Sequence, residues 1–111
     1  MEIDIMIKVT GSRQVIPAKL DTENHKALQE IVEGTFQLIT FPIDPDIYVV
    51  INEEGKLRRL PPSMVLATKD RLIDILVGNI AFVGRGIGGE LCSLTADQQK
   101  TIRNYARKYA Y

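Results

Sequence analysis

Ile47-Tyr48-Val49-Val50-Ile51 places five apolar side chains in succession, and this run constrains the fold more than any other segment. Side chains of a strand point alternately to its two faces, so an unbroken apolar strand needs apolar cover on both sides. Turn-forming segments bound the run: Pro42-Ile43-Asp44-Pro45-Asp46 before it and Asn52-Glu53-Glu54-Gly55-Lys56 after it. It is predicted to be a central strand of a sheet.

The other strands read more weakly. Ile3, Ile5, Ile7 and Val9 alternate with Glu2, Asp4, Met6 and Lys8, the period of a strand with one buried face. Thr10-Gly11-Ser12-Arg13 reads as a turn, and Gln14–Ala18 as a short partner strand that Pro17 confines to an edge. Thr35–Phe41 reads as a strand. Leu60-Pro61-Pro62 ends an extended stretch, Ser63–Thr68 is expected to make one helical turn, and Ile73–Val83 one long strand bent at Gly78-Asn79.

Two helices are predicted, at Thr22–Glu33 and Ala96–Tyr109. In the first, Asp21-Thr22 offers N-cap oxygens, Ala27, Leu28, Ile31 and Val32 form a stripe, and Gly34 stands where a C′ glycine belongs. In the second, Thr95 and Gln98 have the spacing of a capping box, and Ile102, Tyr105, Ala106 and Tyr109 fall on one face. The expected fold class is α+β: one domain over residues 1–111, with a mostly antiparallel sheet of about five strands and two helices packed on it.

Apolar residues make up 45% of the 111 and charged residues 25%, which suits a chain with a true core rather than a disordered one. The single cysteine, Cys92, forms no intramolecular disulfide and fits a reducing compartment. No apolar stretch approaches the roughly 20 residues of a membrane helix. The start, Met1-Glu2-Ile3-Asp4-Ile5, lacks the basic region of a signal peptide. A cytoplasmic protein with no membrane partner is the expectation.

Catalytic constellations are sparse. One histidine, His25, and one cysteine do not build a usual zinc site, and a Cys92–His25 pair has nothing local to activate it. Glu53-Glu54 and Asp44/Asp46 are turn residues without apolar surroundings to raise a pKa. Gly84, Gly86 and Gly89 match the spacing of a dinucleotide-binding loop, but that loop must open directly into a helix and lead on to a second strand. Here the helix waits until Thr95 and the chain ends with it. The segment Gly84–Gly89 therefore reads as a flexible connection. The chain is expected to bind rather than catalyse, with no cofactor and no metal.

Charge is distributed unevenly. Residues 1–54 hold ten acidic and four basic side chains, a net −6; residues 55–111 hold four acidic and ten basic ones, a net +6. The two halves either solvate themselves, pair in the fold, or leave an anion-binding face. The candidate ligand-binding residues come from the basic half: Arg58, Arg59, Arg85 on the glycine-rich loop with Gly86 beside it, and Arg103 and Arg107. Lys100, Arg103 and Arg107 form a basic stripe opposite the apolar face of the last helix. That stripe is either a solvated outer face favoured by the helix dipole or part of an anion site. Few aromatics are present for stacking, so nucleic acid fits less well than a small anion.

Several segments together resemble a family of short proteins known only as a domain of unknown function, common in bacteriophages and in Firmicutes and their mobile elements. They are Met6-Ile7-Lys8-Val9, Ala27–Gly34, Asn52–Lys56, Leu60-Pro61-Pro62, Asp74–Gly78 and Ser93-Leu94-Thr95. Glu33 stands where a glycine is usual and Ser63 where an asparagine is usual. The resemblance implies a phage or mobile-element accessory protein and no catalytic residues. In that setting the expected function is a counter-defence sponge that sequesters a small anionic nucleotide derived from host immune signalling. The alternative is a protein–protein module that inhibits or adapts a host or phage protein. A homo-oligomer is compatible with either.

Overall fold

The computed structural model describes residues 1–111. The apolar run forms β4 (Ile47–Asn52), between β3 (Phe36–Thr40) on one side and β7 (Ile80–Arg85) on the other. β1 (Glu2–Lys8) pairs with the far side of β7, and β2 (Ile16–Asp21) with the outer side of β1. The sheet order is thus β2-β1-β7-β4-β3, with the short β8 (Leu91–Cys92) also paired to β7, and every pairing is antiparallel. A second sheet holds β5 (Pro62–Ala67) and β6 (Leu72–Val77). The fold is α+β, as expected: a mostly antiparallel sheet of six strands, counting the two-residue β8, with a second sheet of two strands that was not foreseen.

Both faces of the large sheet are covered, as β4 requires. Val50 joins Ile3, Ile5, Ala81 and Val83 under helix α1 (Ala27–Val32), which contributes Leu28 and Val32. Ile47 and Val49 join Phe41, Phe82 and Ile80 on the opposite face, beneath the β5–β6 hairpin and helix α2 (Ala96–Tyr109). The two helices therefore lie on opposite faces of one sheet. Tyr105 of α2 links the layers: its ring meets Phe41 edge-on at 4.9 Å, and its hydroxyl accepts from the Ala67 N–H at 2.8 Å and donates to the Val65 carbonyl at 2.7 Å. Its capping box forms as expected, with Thr95 Oγ1 accepting from the Gln98 N–H and Gln98 Oε1 from the Thr95 N–H.

Several local expectations are corrected. Ser63–Ala67 belongs to strand β5, not to a helical turn, and Thr68 follows the strand. Register shifts at Pro62/Met64 and Leu66/Ala67 bury the adjacent pairs Ser63-Met64 and Leu66-Ala67. Bulges turned inward in this way give an i, i+1, i+3, i+4 burial pattern, which imitates a helix. Ile73–Val83 is not one bent strand, because Gly78-Asn79 passes the chain from the small sheet to the large one. β2 runs Ile16–Asp21 rather than Gln14–Ala18.

The first helix covers only Ala27–Val32. Asp21 pairs with Glu2 at the end of β2, and Thr22 bonds the Met1 carbonyl through both its N–H and its hydroxyl. The residue after the helix that adopts the left-handed conformation is Glu33 (φ 62°), not Gly34.

β1 also departs from single-face burial. Ile3 and Ile5 face α1, but Met6 and Lys8 are fully buried on the other side. The Lys8 ammonium donates to the carbonyls of Val9 and Tyr111, each at 3.1 Å. Burial pulls its pKa below the ordinary lysine value.

Candidate anion-binding cleft

Helix α2 buries Ile102, Tyr105 and Ala106, which leaves Lys100, Arg103 and Arg107 exposed on its outer side. The β1–β2 connection runs beside it. Val15 is buried in the same cluster as Ile102, Tyr105 and Ala106, so the loop that precedes it is drawn against the helix. Gly11 (φ 83°) makes the turn in this loop, the Ser12 hydroxyl accepts from the Gln14 N–H, and Asn79 Oδ1 accepts from the Thr10 N–H at 3.0 Å. Arg13 then reaches over the last turns of α2, where Nη2 donates to the Arg107 carbonyl at 3.4 Å. Arg107 is itself steadied by Asn104, whose Oδ1 accepts from Nη1 at 3.3 Å.

The result is a cleft of about 250 Å³ lined by Arg13, Gln14, Val15, Arg103, Ala106 and Arg107. Three guanidinium groups surround it and no carboxylate lines it. The ion pairs of the protein join the N-terminal amine to Asp21 and Glu23, Lys19 to Asp4, and Lys56 to Asp74, so no arginine is neutralised by a side-chain carboxylate. Arginine keeps its charge at all ordinary pH, and its planar fork matches the oxygen pairs of phosphate or carboxylate. An anion entering here meets fixed positive charge over an apolar floor of Val15 and Ala106.

The six residues singled out from sequence are thus divided. Arg103 and Arg107 come together, and Arg13, from the acidic half, completes their cleft. Arg58 is engaged elsewhere: its Nη1 donates to the Glu33 carbonyl at 2.8 Å, at the C-terminal end of α1. Arg59 is exposed in the adjoining turn with φ 56°.

Arg85 stands over the Tyr48 ring, 5.7 Å from its centroid, at the entrance to a closed hairpin rather than a flexible connection to a helix. Within that hairpin the Gly86 N–H donates to the Glu90 carbonyl at 2.8 Å, the Gly88 N–H to Glu90 Oε1 at 3.0 Å, and the Tyr48 hydroxyl to the Gly89 carbonyl at 2.7 Å. A Cβ on Gly86 would lie 1.9 Å from Glu90 Oε1. The carboxylate of Glu90 thus fills the place an anionic ligand would need beside Gly86.

Arg13 was hidden because nothing local marks it; its partner carbonyl lies 94 residues away along the chain. The one local signal is the apolar pair Val15-Ile16 after the turn, of which Val15 is buried and anchors the loop.

Two smaller cavities lie elsewhere. One of about 210 Å³ sits between β4 and β6, with Ile51, Leu57 and Ile75 among its walls and Lys56 and Asp74 paired beside them. One of about 160 Å³ lies by the start of α1, beside His25 and Phe36. Cys92 is half-buried. Burial first, and then the charges of Glu90 and Asp46, push its thiol up from the ordinary cysteine value. No group of three or more histidine, cysteine, aspartate or glutamate side chains is placed to hold a metal ion. No helix is long and apolar enough to cross a membrane.

The fold and cleft define a small α+β protein with a basic cleft on one helix. The chain belongs to the family described as Domain of unknown function (DUF3846), whose model matches residues 3–110. Neither a curated protein nor a solved structure matches it significantly.

Proposed function

We propose that this protein acts by stoichiometric binding of a small phosphorylated anion in the cleft formed by Arg13, Arg103 and Arg107. The observation that carries the reading is the gathering of three arginines without ion-pair partners, from two separate elements, around a cleft with no carboxylate among its lining residues. Holding like charges together is unfavourable, and an anion relieves that repulsion.

The concrete form of the proposal is a nucleotide-derived signal, sequestered in the bacterial cytoplasm by an accessory protein of a phage or mobile element. The phage setting comes from the resemblance of the sequence. Sequestration asks for tight binding without turnover. The raised pKa of Cys92, the only thiol, favours its protonated, poorly nucleophilic form, which suits a binder.

Thermal melting against cyclic dinucleotides, cyclic oligonucleotides and ADP-ribose derivatives tests this. Ligand at one hundred times Kd adds about 2.7 kcal/mol to stability, a clear rise in melting temperature. Arg103→Ala and Arg13→Ala reduce that rise, and Arg85→Ala leaves it unchanged. No rise with any phosphorylated compound refutes the reading.

A second reading rests on a different surface. Leu72, Ile73 and Ile75 of the β6 edge are 61%, 41% and 38% exposed, and Leu57 nearby is 85% exposed. Exposed apolar residues along a strand edge favour association with another protein. Loss of biological activity in Leu72→Lys/Ile73→Lys, with the arginine variants fully active, would favour this protein–protein role.

A further inference from the structure

We infer that the Arg13/Arg103/Arg107 cleft recognises a diphosphate group and leaves any attached base in solvent. This rests on the anion-binding reading above and narrows it to a chemical class. The first observation is size. The cleft measures about 250 Å³, below the roughly 300–1,000 Å³ of pockets that enclose drug-sized ligands. A phosphoryl head fits; a whole nucleotide does not.

The second observation is composition. No phenylalanine, tyrosine or histidine lines the cleft, so it offers no flat surface on which a base could stack. Gln14 is its only uncharged polar side chain, too little to read a base edge by paired hydrogen bonds. Specificity for the base therefore has no physical source here.

The third observation is the number and spacing of the forks. Each guanidinium has five N–H groups and grips two oxygens at once. Arg13 uses one nitrogen on the Arg107 carbonyl and Arg107 one on Asn104, which leaves a fork's worth of donors on all three. Three forks address six oxygens, the number of terminal oxygens on pyrophosphate. A single phosphate has four and leaves donors unmatched. Arg103 and Arg107 are one helical turn apart, a rise of about 6 Å, so both forks reach the cleft from the same side of α2.

Calorimetric titration of the intact chain with inorganic pyrophosphate, inorganic phosphate, ADP, GDP and UDP provides the test. Pyrophosphate is expected to bind, with the three nucleoside diphosphates within about threefold of one another and phosphate at least tenfold weaker. Arg103→Gln and Arg13→Gln each weaken pyrophosphate about tenfold or more, the loss of one charge-assisted contact, whereas Arg71→Gln, outside the cleft, changes nothing. Arg13→Gln lies on a loop, so its fold is secure should the helix variant prove unstable.

Nucleotides that bind through these arginines while pyrophosphate does not, or that differ more than tenfold by base, overturn this inference and leave the anion-binding reading standing. Absence of binding by all five overturns this inference, and absence of a melting shift with the cyclic nucleotides and ADP-ribose derivatives as well overturns both.

Discussion

The side chain of Asn52, at the end of β4, donates from Nδ2 to the carbonyl of Val32, the last residue of α1, at 2.9 Å. Its Oδ1 accepts from the Glu54 N–H at 2.8 Å. One buried amide thus closes the end of a helix and the start of a turn, and Arg58 completes the closure on Glu33. The segment Asn52–Lys56 therefore has a structural role. Replacing Asn52 by Leu strands a carbonyl and an N–H in a site only 4% exposed. The expected cost is about 2–3 kcal/mol, read as a lower denaturation midpoint. An unchanged midpoint would show that water replaces both bonds.

Glu33 holds a left-handed backbone at φ 62°, where a side chain costs about 1 kcal/mol or more. Glu33→Gly removes that strain, gives up an exposed contact with Asn79 at 3.3 Å, and frees the unfolded chain. The balance is a net gain of about 0.5–1 kcal/mol, measurable by urea unfolding. A loss of stability would mean that the Asn79 contact outweighs the strain.

Gly84 lies where β7 meets β8. A Cβ there would stand 2.6 Å from the Cys92 carbonyl oxygen and 2.7 Å from that of Ser93, both backbone atoms. Gly84→Ala therefore pushes β8 off β7, at a cost of about 2 kcal/mol or more. Amide hydrogen exchange checks this: the Gly84–Cys92 region loses protection before the rest of the sheet does.

Lys8 makes stability depend on alkaline pH. Its folded pKa lies below the ordinary 10.5, through burial. Between the two values the unfolded chain binds more protons than the folded one, so unfolding free energy rises as pH increases toward 10.5. Below the folded value the penalty is complete and constant. Lys8→Met lacks this rise, so the difference in stability between the two proteins is constant at lower pH and changes only in the alkaline range. Parallel curves would show that Lys8 titrates normally.

What could be read from sequence was whatever depended on neighbours along the chain. The capping box at Thr95 and Gln98, the apolar stripe of α2 and the two-sided burial of Ile47–Ile51 are such features, and together they give the fold class. What escaped depended on contacts distant in sequence. Bulges in β5 bury the adjacent pairs Ser63-Met64 and Leu66-Ala67, a helix-like spacing within a strand. Asp21 was claimed by Glu2 across a hairpin instead of capping a helix. The same limit governs the cleft: Arg103 and Arg107 share a visible helical stripe, whereas Arg13 joins them only through the packing of Val15.

The position of β7 governs how the chain must be made. β1 and β4 never pair with each other; both are held by β7, whose residues 80–85 come late in the chain, after β1 to β6. While a ribosome is still extending the chain, the β1–β2 and β3–β4 hairpins emerge as two pieces with unmatched inner edges. Neither has the strand that joins it to the other. The large sheet can close only after Ile80–Arg85 has left the exit tunnel, and until then two bare strand edges must be kept from pairing with other nascent chains.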